Sequence, residues 1–486
     1  MSTFFGQHPE NLYSICLTEI GERFSFYMAR NILVLYMIKV FLFSNAQAYT
    51  TFATFTAFLY FTPLIGGYLA DRWLGIKSSI FFGGLLLSLG YFLLAYSNQS
   101  FFYFSLALII IGDGFFMPNI ANAIGQLYQQ NDSRRESGFT IFYIAIQIGA
   151  LLPALFAGWI ISQFGWHNAF LSAAIVILLV TIRFYFNSYS TLKYRLPYFL
   201  LASIIISLFS LALLIKNAYI ANMVIFLFSG IFIFYALKKS FSHPPLQRNR
   251  LLIGFILTAF SILFWALFEQ AGMSLTIFTE YNVQRSLGAW TIPTTVFFIF
   301  NPFFVITCGP LIAKMWLWLD SYHLNPSTPA KFAYGTLLMG LGFAILPLAI
   351  KTQAIDGYIQ WYWIAISYFL QSLGELFISP VGLSMIVELS PKEMNGLMMG
   401  VWYFATAIAN VLAGFIAKWT TIPSGSNLPL ITSAHYAQVF SWLAVFSIVA
   451  GFIMLIFIPL FKKMITASVS CITPPAKHPL EVGSLH

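Results

Sequence analysis

Long apolar runs separated by short polar breaks recur along almost the whole chain. Runs long enough to cross about 30 Å of hydrocarbon fall at 12–40, 48–70, 78–97, 101–126, 138–162, 167–187, 196–215, 218–237, 251–280, 291–317, 332–350, 359–388, 395–419 and 433–461. The pattern predicts fourteen transmembrane helices and an all-α polytopic membrane protein. One pair stands apart: residues 196–237 read as a tight hairpin joined at Lys216-Asn217, rich in Ile, Leu and Phe and nearly free of intramembrane charge. Removing it leaves two sets of six helices. The expected domains are therefore an N-terminal six-helix bundle over 1–190, an inserted hairpin with its linker over 191–240, and a C-terminal six-helix bundle over 241–463. A disordered cytoplasmic tail containing Pro474-Pro475 is expected over 464–486. Two pseudo-symmetric bundles around a central cavity suit an alternating-access carrier.

Composition agrees with the pattern. Of 486 residues 59% are hydrophobic and 8% charged, against about 25% charged in a soluble domain. Residues 1–11 lack a basic n-region and a small-residue cleavage site, so the first span is expected to be retained. The net charge of +9 is explained by orientation. Loops after even-numbered spans, with the C-terminal tail, hold seventeen Lys and Arg, the opposite loops and span ends hold five, and Arg23 and Arg30 lie inside the first span. Cationic loops stay on the cytoplasmic side, which predicts cytoplasmic termini and makes a nucleic-acid partner unnecessary.

The first span carries Glu19, Glu22, Arg23 and Arg30. At mid-membrane each unpaired charge costs about 2.5 to 3.5 kcal/mol, on the order of 10 kcal/mol for four. At 100° per residue from Glu19, Glu22 lies at about −60°, Phe26 at −20°, Arg30 at 20°, Arg23 at 40° and Tyr27 at 80°. One stripe of about 140° holds them all, and it must face a wet, protein-lined cavity. The other embedded acids are Asp113, Glu269 and Glu375, and no lysine is embedded beside them. Five acids against two arginines cannot all stay ionised, so protons belong to the charge balance of this cavity. Static bracing between helices is the competing role for such charges.

The second span ends in Gly66-Gly67-Tyr68-Leu69-Ala70-Asp71-Arg72-Trp73-Leu74-Gly75. Its glycines permit close helix approach, and Asp71 with Arg72 suits a gate at the cytoplasmic surface; a structural turn would use similar residues. Trp265 lies on the face of Glu269, and Tyr60, Asn301, Trp402 and Tyr403 are candidate lining groups. An intramembrane enzyme would need a nucleophile with its base or a metal constellation at membrane depth. The chain has neither H-E-x-x-H nor G-x-S-x-G, its seven histidines lie in predicted loops or tails, and Cys16, Cys308 and Cys471 are too scattered for a metal knuckle or disulfide framework. No enzyme activity, metal or cofactor is expected, protons being the coupling ion.

Glu19-Ile20-Gly21-Glu22-Arg23-Phe24-Ser25-Phe26-Tyr27 resembles the E-x-x-E-R-F-x-Y-Y signature of the proton-coupled oligopeptide transporters, a bacterial-type branch of the major facilitator superfamily. Matches follow in family order at Gly66 to Gly75, Phe142-Tyr143 through Gly149, Trp265 with Glu269-Gln270, Asn301-Pro302, Gly374-Glu375-Leu376 and Gly396 to Trp402. The resemblance implies a major facilitator fold, with Glu19, Glu22 and Arg23 as a proton-sensitive cluster joined by Glu269. It implies that Arg30 and Tyr27 face the peptide, Arg30 holding its carboxylate, while Glu375 with Asn301 receives the amino group. Tyr60, Trp265 and Trp402 would line side-chain pockets, with Gln147 standing where the family usually has asparagine. The implied function is import of di- and tripeptides by proton symport, by a monomer in a bacterial inner membrane.

The departures are specific. The family's G-x-G-x-x-K-P-N reads here Gly112-Asp113-Gly114-Phe115-Phe116-Met117-Pro118-Asn119. Met117 replaces a lysine that in relatives pairs with the first-span glutamates, and Asp113 adds an acid. Phe26 replaces the first tyrosine of the signature. Peptide symport relying on Arg23 and Arg30 alone is one outcome; a divergent carrier of a more cationic or non-peptide solute, or a transport-dead substrate sensor, is the alternative.

Overall fold

The computed structural model describes residues 8–96, 98–129, 132, 134–188, 198–288, 290–422 and 428–470. Its helices are α1 (Glu10–Lys39), α2 (Asn45–Leu69), α3 (Ile76–Tyr96), α4 (Gln99–Gly125), α5 (Arg135–Phe164), α6 (Trp166–Ser188), α7 (Tyr198–Lys216) and α8 (Ala218–Ser240). They continue as α9 (Pro245–Phe268), α10 (Ser274–Asn282), α11 (Phe300–Ser321), α12 (Thr328–Gln353), α13 (Trp361–Leu389), α14 (Asn395–Lys418) and α15 (Pro429–Ser470). With α9 and α10 taken as one interrupted segment, these make fourteen helical segments among the described residues. Twelve are long and apolar enough to cross a membrane, and α7 contributes the shorter apolar stretch Leu201–Lys216. The remaining pass, α1, has ample length at 30 residues and is set apart by its charges.

Local chemistry fixes several helix ends. Ser44 and Gln47 cap α2 reciprocally, Gln47 N donating to Ser44 Oγ at 3.2 Å and Ser44 N to Gln47 Oε1 at 3.1 Å. Pro245 opens α9, where its missing N–H costs nothing. A π turn over Ala70–Leu74 follows α2 and ends at Gly75, whose φ of +79° suits glycine.

Two expectations from the sequence need correction. The run 251–280 is not one helix: α9 ends at Phe268, Glu269–Gly272 forms a 3₁₀ turn, and α10 restarts at Ser274. Gly272 is a weak helix former at the break, and the Phe52 ring of α2 packs where its side chain would lie, 2.8 Å from an added Cβ. The last helix also continues to Ser470, past the expected boundary at 463; the remainder of the expected tail, and residues 189–197 of the expected linker, lie outside the described residues.

Two apolar cores result. One joins α1–α6 with parts of the hairpin and of α14, and the other is built from α9–α15 with parts of α8. The hairpin packs across both: Phe209 of α7 meets Phe104 of α4, and Phe232 of α8 meets Phe404 of α14 with ring centroids 4.6 Å apart. The two halves of the chain also close on each other at the end carrying Lys39. There Lys39 and Arg285 pair with Glu280, and missing side chains at Gly414 and Gly158 admit Ala53 and Pro293.

Close helix approach matters most at Gly66, where an added Cβ would lie 1.9 Å from the Gly114 carbonyl oxygen of α4. Backbone cannot yield there. Gly66→Ala should therefore cost about 1–3 kcal/mol by overpacking, seen as a lower thermal midpoint of the detergent-solubilised protein. Gly230→Ala, which meets open space, should leave the midpoint unchanged or raise it.

Candidate functional site

The first requirement is that α1 turn its polar stripe inward, and glycine makes this possible. Gly149 of α5 has no side chain where Arg23 Cβ and the Ile20 carbonyl press in, at 2.5 and 2.8 Å from an added Cβ. The polar groups then fall into two layers.

The layer nearer the 70–75 turn holds one guanidinium among three carboxyls. Arg23 Nε hydrogen-bonds Glu22 and lies 3.2 Å from Glu19 Oε1, and Arg23 Nη2 lies 3.8 Å from Asp113 Oδ1 on α4. Arg23 also stacks over Phe26 at 5.1 Å. All four charged side chains are buried. One oxygen on each acid (Glu19 Oε2, Glu22 Oε1, Asp113 Oδ1) and Arg23 Nη2 have no hydrogen-bond partner. The network is thus short of donors and of positive charge.

The second layer surrounds a cavity of about 170 Å³. Arg30 of α1 crosses it to Glu269, Nη2 to Oε2 at 2.7 Å. The break after α9 presents that carboxylate, a common use of discontinuous helices in carriers. On the other wall Asn301 Nδ2 donates to Glu375 Oε2 at 2.7 Å and to Ser372 Oγ at 3.1 Å, which leaves the second carboxylate oxygen available. Tyr27, Tyr60, Gln147 and Trp265 complete the expected lining. Arg30 lies 6.0 Å from the rings of both Tyr27 and Phe52. A smaller pocket of about 50 Å³, bordered by Arg23, Asp113, Met117, Arg30 and Glu269, lies between the layers.

Two candidate lining residues, Trp402 and Tyr403, are not among those that line the cavity. Trp402 is buried inside the second core against Phe332, at 6.5 Å between centroids, and its ring fills the space that Gly382 leaves open. Asp71 and Arg72 are exposed in the π turn and do not pair with each other; Arg72 hydrogen-bonds the Tyr68 hydroxyl at 2.6 Å and lies over Trp73 at 5.3 Å. Conversely, Asn31 and Tyr368 line the cavity without having been expected. Asn31 is 3% exposed, and neither its Oδ1 nor its Nδ2 has a partner. It sits at about 120° from Glu19 on α1, at the edge of the charged stripe, so widening the stripe to neutral polar residues would have found it. Trp265 Nε1 is a third buried group with no partner at this cavity.

Two helical bundles that meet over a mid-depth polar cavity, inside a set of apolar spans, define a membrane transporter of the major facilitator type. A family model described as the POT family matches residues 77–436, and the chain belongs to that family. It is 32% identical to dipeptide and tripeptide permease B of Photorhabdus asymbiotica over 472 residues, covering 94% of this chain and 96% of that protein. Identity is also 32% to dipeptide and tripeptide permease B of Salmonella typhimurium, over 476 residues and again 94% and 96% of the two chains. Among solved structures, one concerned with substrate recognition in proton dependent oligopeptide transporters superposes with a TM-score of 0.82 at 28% identity, covering 93% of this chain and 99% of that one. Tetrameric PepTSo2 gives 0.81 at 27% identity with the same coverage. The chain is thus a transporter and not an enzyme.

The Arg30–Glu269 pair tests the electrostatics of the cavity. Arg30→Ala alone leaves a buried carboxylate uncompensated and should cost about 3–5 kcal/mol. Removing both partners should recover a large part of that loss. A double-mutant cycle on thermal unfolding in detergent reads the coupling; additive losses would show that the pair is not formed.

Proposed function

We propose that this protein imports di- and tripeptides across a bacterial inner membrane by proton symport, through alternating access. The observation that carries the reading is the arrangement of complementary charges around one small cavity: a guanidinium on α1 and a carboxylate on α13, each already hydrogen-bonded and so replaceable by a peptide's two ends. The peptide carboxylate would compete with Glu269 for Arg30, and the peptide ammonium would take the free oxygen of Glu375. Asn31 and Trp265, whose polar atoms lack partners, would hydrogen-bond the peptide backbone that these ends hold in place. Tyr27, Tyr60, Gln147 and Asn301 would bound the space left for side chains. Few polar anchors and a largely apolar remainder give tolerance of peptide sequence.

Proton coupling follows from the same competition. A proton on Glu269 would free Arg30 for the peptide, and Glu19, Glu22 and Arg23 would hold the second store of exchangeable charge. The closure around Lys39, Glu280 and Arg285 supports a state shut at that end. Because the loops after even-numbered spans carry the excess of Lys and Arg in the sequence, the other end and both termini would be cytoplasmic, making the present state inward-facing. Asp71 and Arg72 would then act at the cytoplasmic rim. The cavity takes its lining from both bundles of this chain, which supports the monomer as the transporting unit. A cationic or non-peptide solute, or a sensor role, is not favoured, because the permeases and transporters that this chain resembles are named for peptides.

Reconstitution tests the proposal. Proteoliposomes with an acidic exterior should accumulate labelled dialanine above its equilibrium level, and a protonophore should abolish the excess. Asn31→Ala should raise KM about tenfold, the loss of hydrogen bonds to a buried polar group. Absence of gradient-driven accumulation by the wild type would refute proton symport.

A further inference from the structure

One guanidinium serves three carboxyls in the layer nearer the 70–75 turn, and only one of the three comes from another helix. Glu19 and Glu22 share α1 with Arg23, so their contacts persist whatever the helices do. Asp113 reaches Arg23 Nη2 from α4 at 3.8 Å, beyond hydrogen-bond range, and both facing atoms are buried without a hydrogen-bond partner. A shift of less than 1 Å between α1 and α4 would therefore make or lose a charge-assisted hydrogen bond.

The surroundings of Asp113 leave it short of positive charge. It is 2% exposed. Glu19, Glu22 and Arg23 of α1 face it, with the phenols of Tyr91 on α3 and Tyr403 on α14 also in electrostatic reach. Its own helix offers only Met117 a turn further on, and both border the small pocket that opens toward Arg30 and Glu269. A proton can reach it through that polar gap. The helix itself is weak just there: Pro118 cannot donate to the Gly114 carbonyl, and Gly114 carries no side chain.

We propose that Asp113 is a proton-binding residue of the transport cycle. Charged, it ties α4 to α1 through Arg23; protonated by hydronium entering the cavity, one carboxyl oxygen gaining the O–H bond that the hydronium loses as it becomes water, it releases α4. The proposal rests on the proton-symport reading and adds a residue to it.

The test uses the full chain in proteoliposomes with labelled dialanine, comparing gradient-driven uptake with counterflow at equal pH. Asp113→Asn should lose gradient-driven accumulation by about tenfold or more while counterflow stays within about twofold of wild type, and Asp113→Glu should restore driven uptake. Driven uptake by Asp113→Asn equal to wild type would overturn the proposal, as would equal loss of both modes in both variants, the mark of a brace. A measurement on the unmutated protein covers a variant that fails to fold. Of the five aspartates, all described, Asp113 alone is buried. Carbon-13 labelling of aspartate should give an infrared carbonyl band of a water-shielded carboxylic acid that titrates and shifts when dialanine is added; no such band at any pH overturns the assignment. If the wild type exchanges dialanine yet accumulates none, the symport reading fails, and the infrared band alone decides whether Asp113 binds a proton.

Discussion

A guanidinium cannot sit in hydrocarbon without a carboxylate beside it, and the central helices are arranged around that constraint. Arg30 has its partner in Glu269, on the other half of the chain, so this ion pair joins the two bundles at the cavity. Glu269 can supply it only because α9 stops short and the backbone turns through Glu269–Gly272. At the break Gly272 leaves space for the Phe52 ring of α2. Helix interruption, bundle contact and cavity position are thus one solution to one electrostatic requirement.

Arg23 solves the same problem differently. Its partners come mainly from its own helix, where Glu19 and Glu22 lie four and one residues away. Such a cluster can be buried as α1 inserts, before the bundles assemble. With Met117 in place of a cation on α4, Arg23 is the guanidinium that Glu19, Glu22 and Asp113 share. The two arginines therefore divide the work, one holding charge within a helix and the other joining halves.

Much of this was legible in the amino-acid order. Lipid demands uninterrupted apolar helices, so the passes and the inserted pair stand out as runs. Charges in such runs are costly enough to announce a site: Arg23, Arg30, Glu269 and Glu375 border the two cavities, whereas Glu19 and Glu22 are buried beside Arg23 without lining either. Residues without charge were less readable. Trp402 shares a helix face with Thr406 and Asn410, which sequence reads as a polar, cavity-directed face; packing against Phe332 and Gly382 places it in the core instead. Asn31 was hidden because a neutral amide costs less in a membrane than an ion. The turn at Glu269–Gly272 is compatible with a continuous helix in sequence, a single glycine being too weak a breaker to announce it.

The hairpin has a mechanical consequence. Phe61 of α2 lies 5.1 Å from Phe404 of α14, and Phe228 and Phe232 of α8 lie against them at 6.2 and 4.6 Å. In water, parting these rings would incur the full hydrophobic penalty. In a bilayer the acyl chains that replace a ring are as apolar as the ring, so separation loses only shape-matched dispersion contacts. The flank where both bundles meet α8 thus behaves as a lubricated bearing: it keeps the halves aligned while offering little resistance to their rotation.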